Sequence, residues 1–363
     1  MKKICLIFNH FQHQDGVSRS ALAIANNLVK MELAEVTLIS IFTDEKEFHK
    51  ELDPRVKMKH VFGFYFRGMP HIVKHIPKSW IIRKSLNDEY DVMIGFQEGL
   101  PIKYIAASHR SSNVNKFAWL HCYFDWLIPT LKDDYKKIGT VVCVSRCNAE
   151  RLHKEIPIIT TDYSYNPIDE KYVIKCGEEV CDIKRPTNMP LFVSVGRMSW
   201  EKGYDRLIRI SRRLLDEGYK FNLWLVGDGP IYKELQSLNQ ELRMENCIKF
   251  LGRQNNPHKY TSKADLFICS SFIEGYSTAC TEAIMLGVPV ITTNVSGAEE
   301  IIEDAECGRL LGMDDESLYN GLKEILDSPT LVNEWKEKLL TTRQRFYAET
   351  RIKKLAKILR LDE

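Results

Sequence analysis

Leu266-Phe267-Ile268-Cys269-Ser270, then Glu274-Gly275-Tyr276-Ser277-Thr278, Glu282-Ala283 and Gly287-Val288-Pro289-Val290 lie in one stretch, and its reading decides the fold. The first run is apolar and short, the pattern of a buried strand. A helix from Thr278 to Leu286 follows, with Ser277 or Thr278 suited to cap it, and Val288 to Thr292 reads as the next strand. Glu274 comes directly after the buried strand, where a lone carboxylate is costly without a partner. Glu282 lies one turn inside the helix, where a carboxylate favours the positive helix end whether or not it binds anything. That bland account covers one glutamate and leaves Glu274 unexplained.

The same alternation runs through the chain twice. Ile4 to Phe8, Val36 to Ile41, Val92 to Phe96, Phe117 to Leu120 and Val141 to Ser145 read as buried strands, with a helix after Gly16. The second series is Leu191 to Val195, Asn222 to Val226, Ile248 to Leu251, Leu266 to Ser270 and Val288 to Thr292. It is interleaved with helices at Tyr204 to Asp216 and Ile231 to Leu242. Continuous apolar strands between helices predict parallel sheets covered on both faces. The stretch 171–189 is polar and carries Gly177 and Pro186, so it is read as a linker. The expected division is two Rossmann-like domains, 1–170 and 190–345, across a cleft, with a charged C-terminal helix over 346–363. In such sheets ligands bind beyond the carboxyl ends of the strands.

Those strand ends carry the candidate chemistry. Arg197 and Lys202 follow Leu191 to Val195, with Gly196 allowing a tight turn; two surface cations are the bland alternative, and neither is expected in the core. Cations, free amides at a helix start and two carboxylates together suit a nucleotide diphosphate sugar. In the first half, Gly16-Val17-Ser18-Arg19 opens a helix, either as a plain start capped by Ser18 or as a turn admitting phosphate. His121 ends a strand and faces the expected cleft, and Glu98 ends another with a weaker signal. Tyr165-Asn166-Pro167-Ile168-Asp169 reads as turn chemistry.

Composition narrows the class. The chain has 363 residues, 44% apolar and 28% charged, and its net charge of +2 does not indicate a nucleic-acid binder, so no nucleic-acid partner is expected. Ten cysteines without a CxxC pair fit small buried hydrophobes in a reducing compartment. The N-terminal apolar run is too short for a signal peptide and no 18-residue apolar span occurs, so a cytoplasmic location is expected. One segment is charged locally. Between Pro54 and Asn87 there is no Asp or Glu, yet Arg55, Lys57, Lys59, Arg67, Lys74, Lys78, Arg83 and Lys84 occur among His60, His71, His75 and the aromatics Phe62, Phe64, Tyr65, Phe66 and Trp80. Segment 54–87 therefore suggests a peripheral contact with an anionic membrane, weighed against a solvated basic face or a groove for an anionic acceptor.

Residues Pro190 to Leu311 carry a resemblance to glycosyltransferase family 4, retaining enzymes of GT-B fold. It rests on Gly196-Arg197, Lys202-Gly203, Val226-Gly227-Asp228-Gly229-Pro230, Phe250-Leu251-Gly252-Arg253, the paired glutamates, and Gly287-Val288-Pro289-Val290-Ile291. Weaker similarity, including His121, covers the rest. The resemblance implies that Arg197 and Lys202 bind the donor diphosphate, Glu282 the ribose hydroxyls, Glu274 the donor sugar and the amides of Ser277 and Thr278 the phosphate. It further implies that Arg253 flanks the base, that Gly16 approaches the donor, that His121 assists the reacting centre, and that the tail over 346–363 crosses back onto the first domain. No metal or other cofactor is implied; the nucleotide sugar is a co-substrate and the acceptor a glycan or lipid-linked hydroxyl. The chain departs from the family in Asp15-Gly16, where a Gly-Gly is common, and in Tyr276-Ser277, where Phe-Gly is common. A nucleotide-sugar epimerase of GT-B fold and a catalytically silent GT-B subunit are the alternatives.

Overall fold

The computed structural model describes residues 1–11, 16–44, 46–66, 68–73, 75–86, 90–108 and 114–361. They form two compact units, Met1–Pro167 with Ala348–Glu363, and Ile168–Tyr347. Each is built on one parallel sheet, an α/β architecture in both.

Unit 1 holds seven strands: β1 Lys2–Phe8, β2 Ala34–Ser40, β3 Lys57–His60, β4 Val92–Gly95, β5 Asn115–Leu120, β6 Thr140–Cys143 and β7 Thr160–Tyr163. Their spatial order is β3-β2-β1-β4-β5-β6-β7. The central strands are apolar on both faces because helices cover both, and Ile4 to Phe8 are all buried. Unit 2 has six strands: β8 Leu191–Val195, β9 Asn222–Val226, β10 Ile248–Gly252, β11 Leu266–Cys269, β12 Val290–Thr293 and β13 Arg309–Leu311, in the order β10-β9-β8-β11-β12-β13. In both sheets the chain builds outward on one side of the first strand and then returns to the other. That reversal opens a crevice beyond the strand ends, between β1 and β4 in unit 1 and between β8 and β11 in unit 2.

Three expectations change. The segment read as an irregular linker begins with a helix, Glu170–Glu178, capped by Asp169, whose carboxylate accepts from the amides of Lys171 and Tyr172. Val173 and Cys176, spaced for one helix face, are buried and outweigh the polar composition around them. Ser18 is no cap: the helix starts at Gly16, and Ser18 is fully buried inside its first turn. The basic stretch 54–87 contains the strand β3, which pairs with β2 so that Ser40 faces His60.

The C-terminal helix Ala348–Ile358 belongs to unit 1 and packs on the helix Gly16–Lys30. Ile352, Leu355 and Leu359 are buried there, and Arg351 donates to the carbonyl of Asn166. Ser20 of the first helix donates to the Asn166 side chain at 3.1 Å. The turn around Asn166 is thus a structural tie.

Candidate functional site

In unit 2 the crevice between β8 and β11 is lined by the loops that leave those strands. The loop after β8 lies tight against its neighbour because the residues there are glycines. A Cβ on Gly227, at φ +141°, would sit 1.9 Å from the Gly196 carbonyl. The loop continues through a short 3-10 turn, Trp200–Lys202, to Gly203 in the left-handed region at φ 62°. A Cβ on Gly203 would lie 2.3 Å from the Ser270 carbonyl, so glycine is what lets this loop lie against the one after β11. Ser270 Oγ donates to the Lys202 carbonyl at 3.0 Å, and the Phe272 amide donates to Glu201 O at 2.7 Å.

This closeness brings the predicted cation and carboxylate together. Lys202 Nζ donates to Glu274 Oε1 at 2.6 Å, and Ser271 Oγ donates to the same oxygen at 2.7 Å. The two charged side chains are only 25% and 13% exposed. Burial disfavours the Lys202 ammonium, but the charge and hydrogen bond of Glu274 outweigh it and hold the pKa above its ordinary value. Lys202 is half-buried beside its partner and lies outside the core, as expected. Arg197 is exposed, and among the described residues its guanidinium has no protein partner.

Ser277 caps the helix Thr278–Met285, its hydroxyl accepting from the Cys280 amide at 3.3 Å. Thr278 is the first residue of that helix, so amides of its opening turn face the loop bearing Glu274. Glu282 is inside it, with Oε2 3.9 Å from Nδ1 of the buried His258. Arg253 is exposed just after β10. The structure thus joins Lys202 to Glu274 and sets Thr278 and Glu282 on the helix that Ser277 caps, while Arg197 and Arg253 follow the ends of β8 and β10.

Arg206 was missed. It is 3% exposed, donates through Nε to the Ser270 carbonyl at 3.0 Å and through Nη2 to Ser271 O at 3.1 Å, and stacks on Phe272. Burial lowers its pKa. It clamps the backbone from which Glu274 projects. On the helix Tyr204–Asp216 it reads like any surface arginine, so the sequence carries no signal for it.

Unit 1 contributes the residues at its own switch point. His121, 8% exposed at the end of β5, has Nε2 2.7 Å from the Phe96 carbonyl, which fixes its ring. Glu98 Oε1 accepts from the amides of His121 at 2.6 Å and Cys122 at 3.2 Å, so its role is to set this turn. Gln97, also missed, accepts from the Asn9 amide at 2.8 Å and steadies the loop after β1. Gly16 opens the first helix, while Asp15 lies outside the described residues.

Two parallel sheets of this topology are the architecture of the GT-B fold. Residues 178–340 match the family Glycosyl transferases group 1. It is similar to the Campylobacter jejuni N-acetylgalactosamine-N,N'-diacetylbacillosaminyl-diphospho-undecaprenol 4-alpha-N-acetylgalactosaminyltransferase, with 32% identity over 216 residues. That match spans 58% of this chain and 57% of the relative's length. A second Campylobacter jejuni protein, a GalNAc-alpha-(1->4)-GalNAc-alpha-(1->3)-diNAcBac-PP-undecaprenol alpha-1,4-N-acetyl-D-galactosaminyltransferase, is 26% identical over 89% of this chain and 90% of its own. Among solved structures, Anabaena HepE in complex with UDP and glucose superposes with a TM-score of 0.73 at 18% identity, covering 99% of this chain and 100% of that one. At that identity the likeness is one of fold.

Proposed function

We propose that the chain transfers a sugar, with retention, from a nucleotide diphosphate sugar to a hydroxyl of a glycan or lipid-linked acceptor in cell-surface polysaccharide synthesis. The observation that carries this reading is the Lys202 ammonium, fixed by Glu274, whose same oxygen accepts from Ser271, at the switch point beside a capped helix start. A preorganised charge there meets negative charge as it develops on a leaving diphosphate. UDP is the proposed nucleotide, in keeping with its presence in the Anabaena structure.

In the proposed reaction the bond from the anomeric carbon to the diphosphate oxygen breaks, and the acceptor oxygen bonds to the same face. The acceptor proton passes to the departing phosphate oxygen, so no protein nucleophile is needed. Lys202 and the exposed Arg197 neutralise the diphosphate, and the amides at Ser277 and Thr278 contact phosphate. Glu282 holds the ribose hydroxyls, Glu274 the sugar, and Arg253 flanks the base. His121 lies over the donor sugar, and the Gly16 turn approaches it. These positive groups replace a divalent ion, so turnover should survive excess EDTA. The test is a nucleotide-sugar panel screened by thermal shift, then turnover with the anomeric configuration read by NMR. An inverted product would reject retention, and activity lost to EDTA but restored by magnesium would reject metal independence.

We also propose peripheral docking on anionic membrane through unit 1. No helix among the described residues is long and apolar enough to cross a membrane. Exposed Phe64, Tyr65, Phe66, Ile72 and Trp80 accompany exposed Lys78, Arg83 and Lys84. The face is narrower than the sequence suggests. Arg55 pairs with Asp53 and Lys57 with Glu35, Phe62 and Ile81 are buried, and Arg67 and Lys74 lie outside the described residues. Lys78, Arg83 and Lys84, the last lying over the Trp80 ring, contribute about 1 kcal/mol each near an anionic surface. Co-sedimentation with liposomes that ignores lipid charge and salt would reject docking.

A further inference from the structure

Three residues without a role in that chemistry converge in unit 1. Asp44 follows β2, His49 lies on the helix Lys46–Lys50 and His60 ends β3. One ligand atom of each lies within 4.8 Å of the others. His49 Nε2 meets Asp44 Oδ2, and His60 Nε2 meets Asp44 Oδ1. The Asp44 side chain is only 4% exposed, whereas those of His49 and His60 are 42% and 32% exposed. The ring centroids stand 6.2 Å apart.

A buried carboxylate needs positive charge as well as hydrogen bonds. Among the described residues no Lys or Arg pairs with Asp44. The two imidazoles reach the two carboxylate oxygens, but no permanently charged side chain among the described residues balances the carboxylate. A dication on the same three atoms supplies both.

We propose that Asp44, His49 and His60 bind a divalent transition metal of the zinc class. Imidazole nitrogen suits zinc and its neighbours, whereas magnesium and calcium take oxygen ligands. Three protein ligands leave one tetrahedral position, and the exposure of both rings gives it to water. The metal would tie the end of β3 to the β2 loop and the helix Lys46–Lys50. From β3 the chain runs directly into the exposed aromatics Phe64 to Phe66, so it would steady the base of that segment.

The test uses the full chain, freed of metal by chelator and titrated with zinc chloride under reducing conditions. His49→Ala/His60→Ala removes two ligands, and Asp44→Asn removes the charge while keeping the shape. Ten free cysteines bind zinc equally in all three proteins, so the difference between them is the readout. The wild type should take up one zinc per chain more than either variant, and zinc should raise its Tm more. Cobalt(II) should give the wild type a tetrahedral d–d band that both variants lack. Equal uptake, equal thermal response and equal cobalt spectra would overturn the proposal and leave an Asp–His hydrogen-bonded cluster.

Discussion

Lys202→Met removes one charge and keeps most of the side-chain volume, which makes it the sharpest probe of the proposed site. At 2.6 Å and an effective dielectric of ~20, the attraction to Glu274 is about 6 kcal/mol before desolvation. Desolvation of both ions offsets most of that. Removing one partner of a fully buried pair costs about 3–5 kcal/mol. Here Lys202 is 25% and Glu274 13% exposed, so water reaches the orphaned carboxylate and the expected loss falls to about 2 kcal/mol. For a unit of this size that is a Tm lowered by about 4–8 °C. Turnover should fall about 10²–10³-fold if the ammonium meets the leaving diphosphate as proposed. Glu274→Gln and the double variant complete a cycle read by calorimetry and by initial rates at saturating donor. The two stability losses should be less than additive, because each variant already breaks the same contact. A Lys202→Met protein within about threefold of wild-type turnover, under ~1 kcal/mol of barrier, would refute the assignment. So would strictly additive stability losses.

The remaining predictions are independent of that pair. Arg197→Ala should leave Tm unchanged, because the side chain is exposed, yet lower turnover about 10²-fold; steady-state rates with a melting curve check both. Ser277→Ala removes the helix cap and should cost about 1 kcal/mol in denaturant unfolding, with a raised donor KM. Asp265 is held below its ordinary pKa: burial opposes its charge, but the Leu191 amide and Lys336 outweigh that. Its stabilisation is therefore present above the unfolded pKa of about 3.9 and lost as pH falls through the folded value. Asp265→Asn should cost about 1–3 kcal/mol at pH 7, and the gap to wild type should close in acid. Truncation at Glu349 deletes buried Ile352, Leu355 and Leu359, each contributing about 1.5–3 kcal/mol, against a typical domain stability of about 5–15 kcal/mol. Unit 1 should then unfold, and circular dichroism showing an intact, active protein would contradict this.

The strands legible in the sequence are chiefly those at the centres of the sheets. Ile4 to Phe8 and Leu266 to Cys269 are buried on both faces and must be apolar throughout, which short runs reveal. β3, β7 and β13 escaped notice, and all three are sheet edges. Lys57 and His60 are exposed, Met58 and Lys59 between them are half-buried, and there is no apolar run, so the pairing with β2 comes from the fold and not from the strand's own composition. The helix Glu170–Glu178 was hidden for a related reason: two buried side chains and an aspartate cap suffice when other helices of the unit supply the surface.

The site was legible to the extent that it depends on strand ends. A parallel sheet that reverses its order creates a crevice at one place, so charged residues directly after β8 and β11 are marked by position alone. What position does not mark is which of them meet. Lys202 lies 72 residues from Glu274, and their contact depends on Gly203 admitting the Ser270 carbonyl and on Arg206 gripping the same backbone. Both are ordinary residues in ordinary places until the sheet is assembled. Asp44, His49 and His60 are the stronger case, because their spacing follows no ligand motif and β2–β3 pairing brings the two strand ends together. Where edge pairing, and not local periodicity, builds a cluster, its chemistry can be read only after the edge is placed.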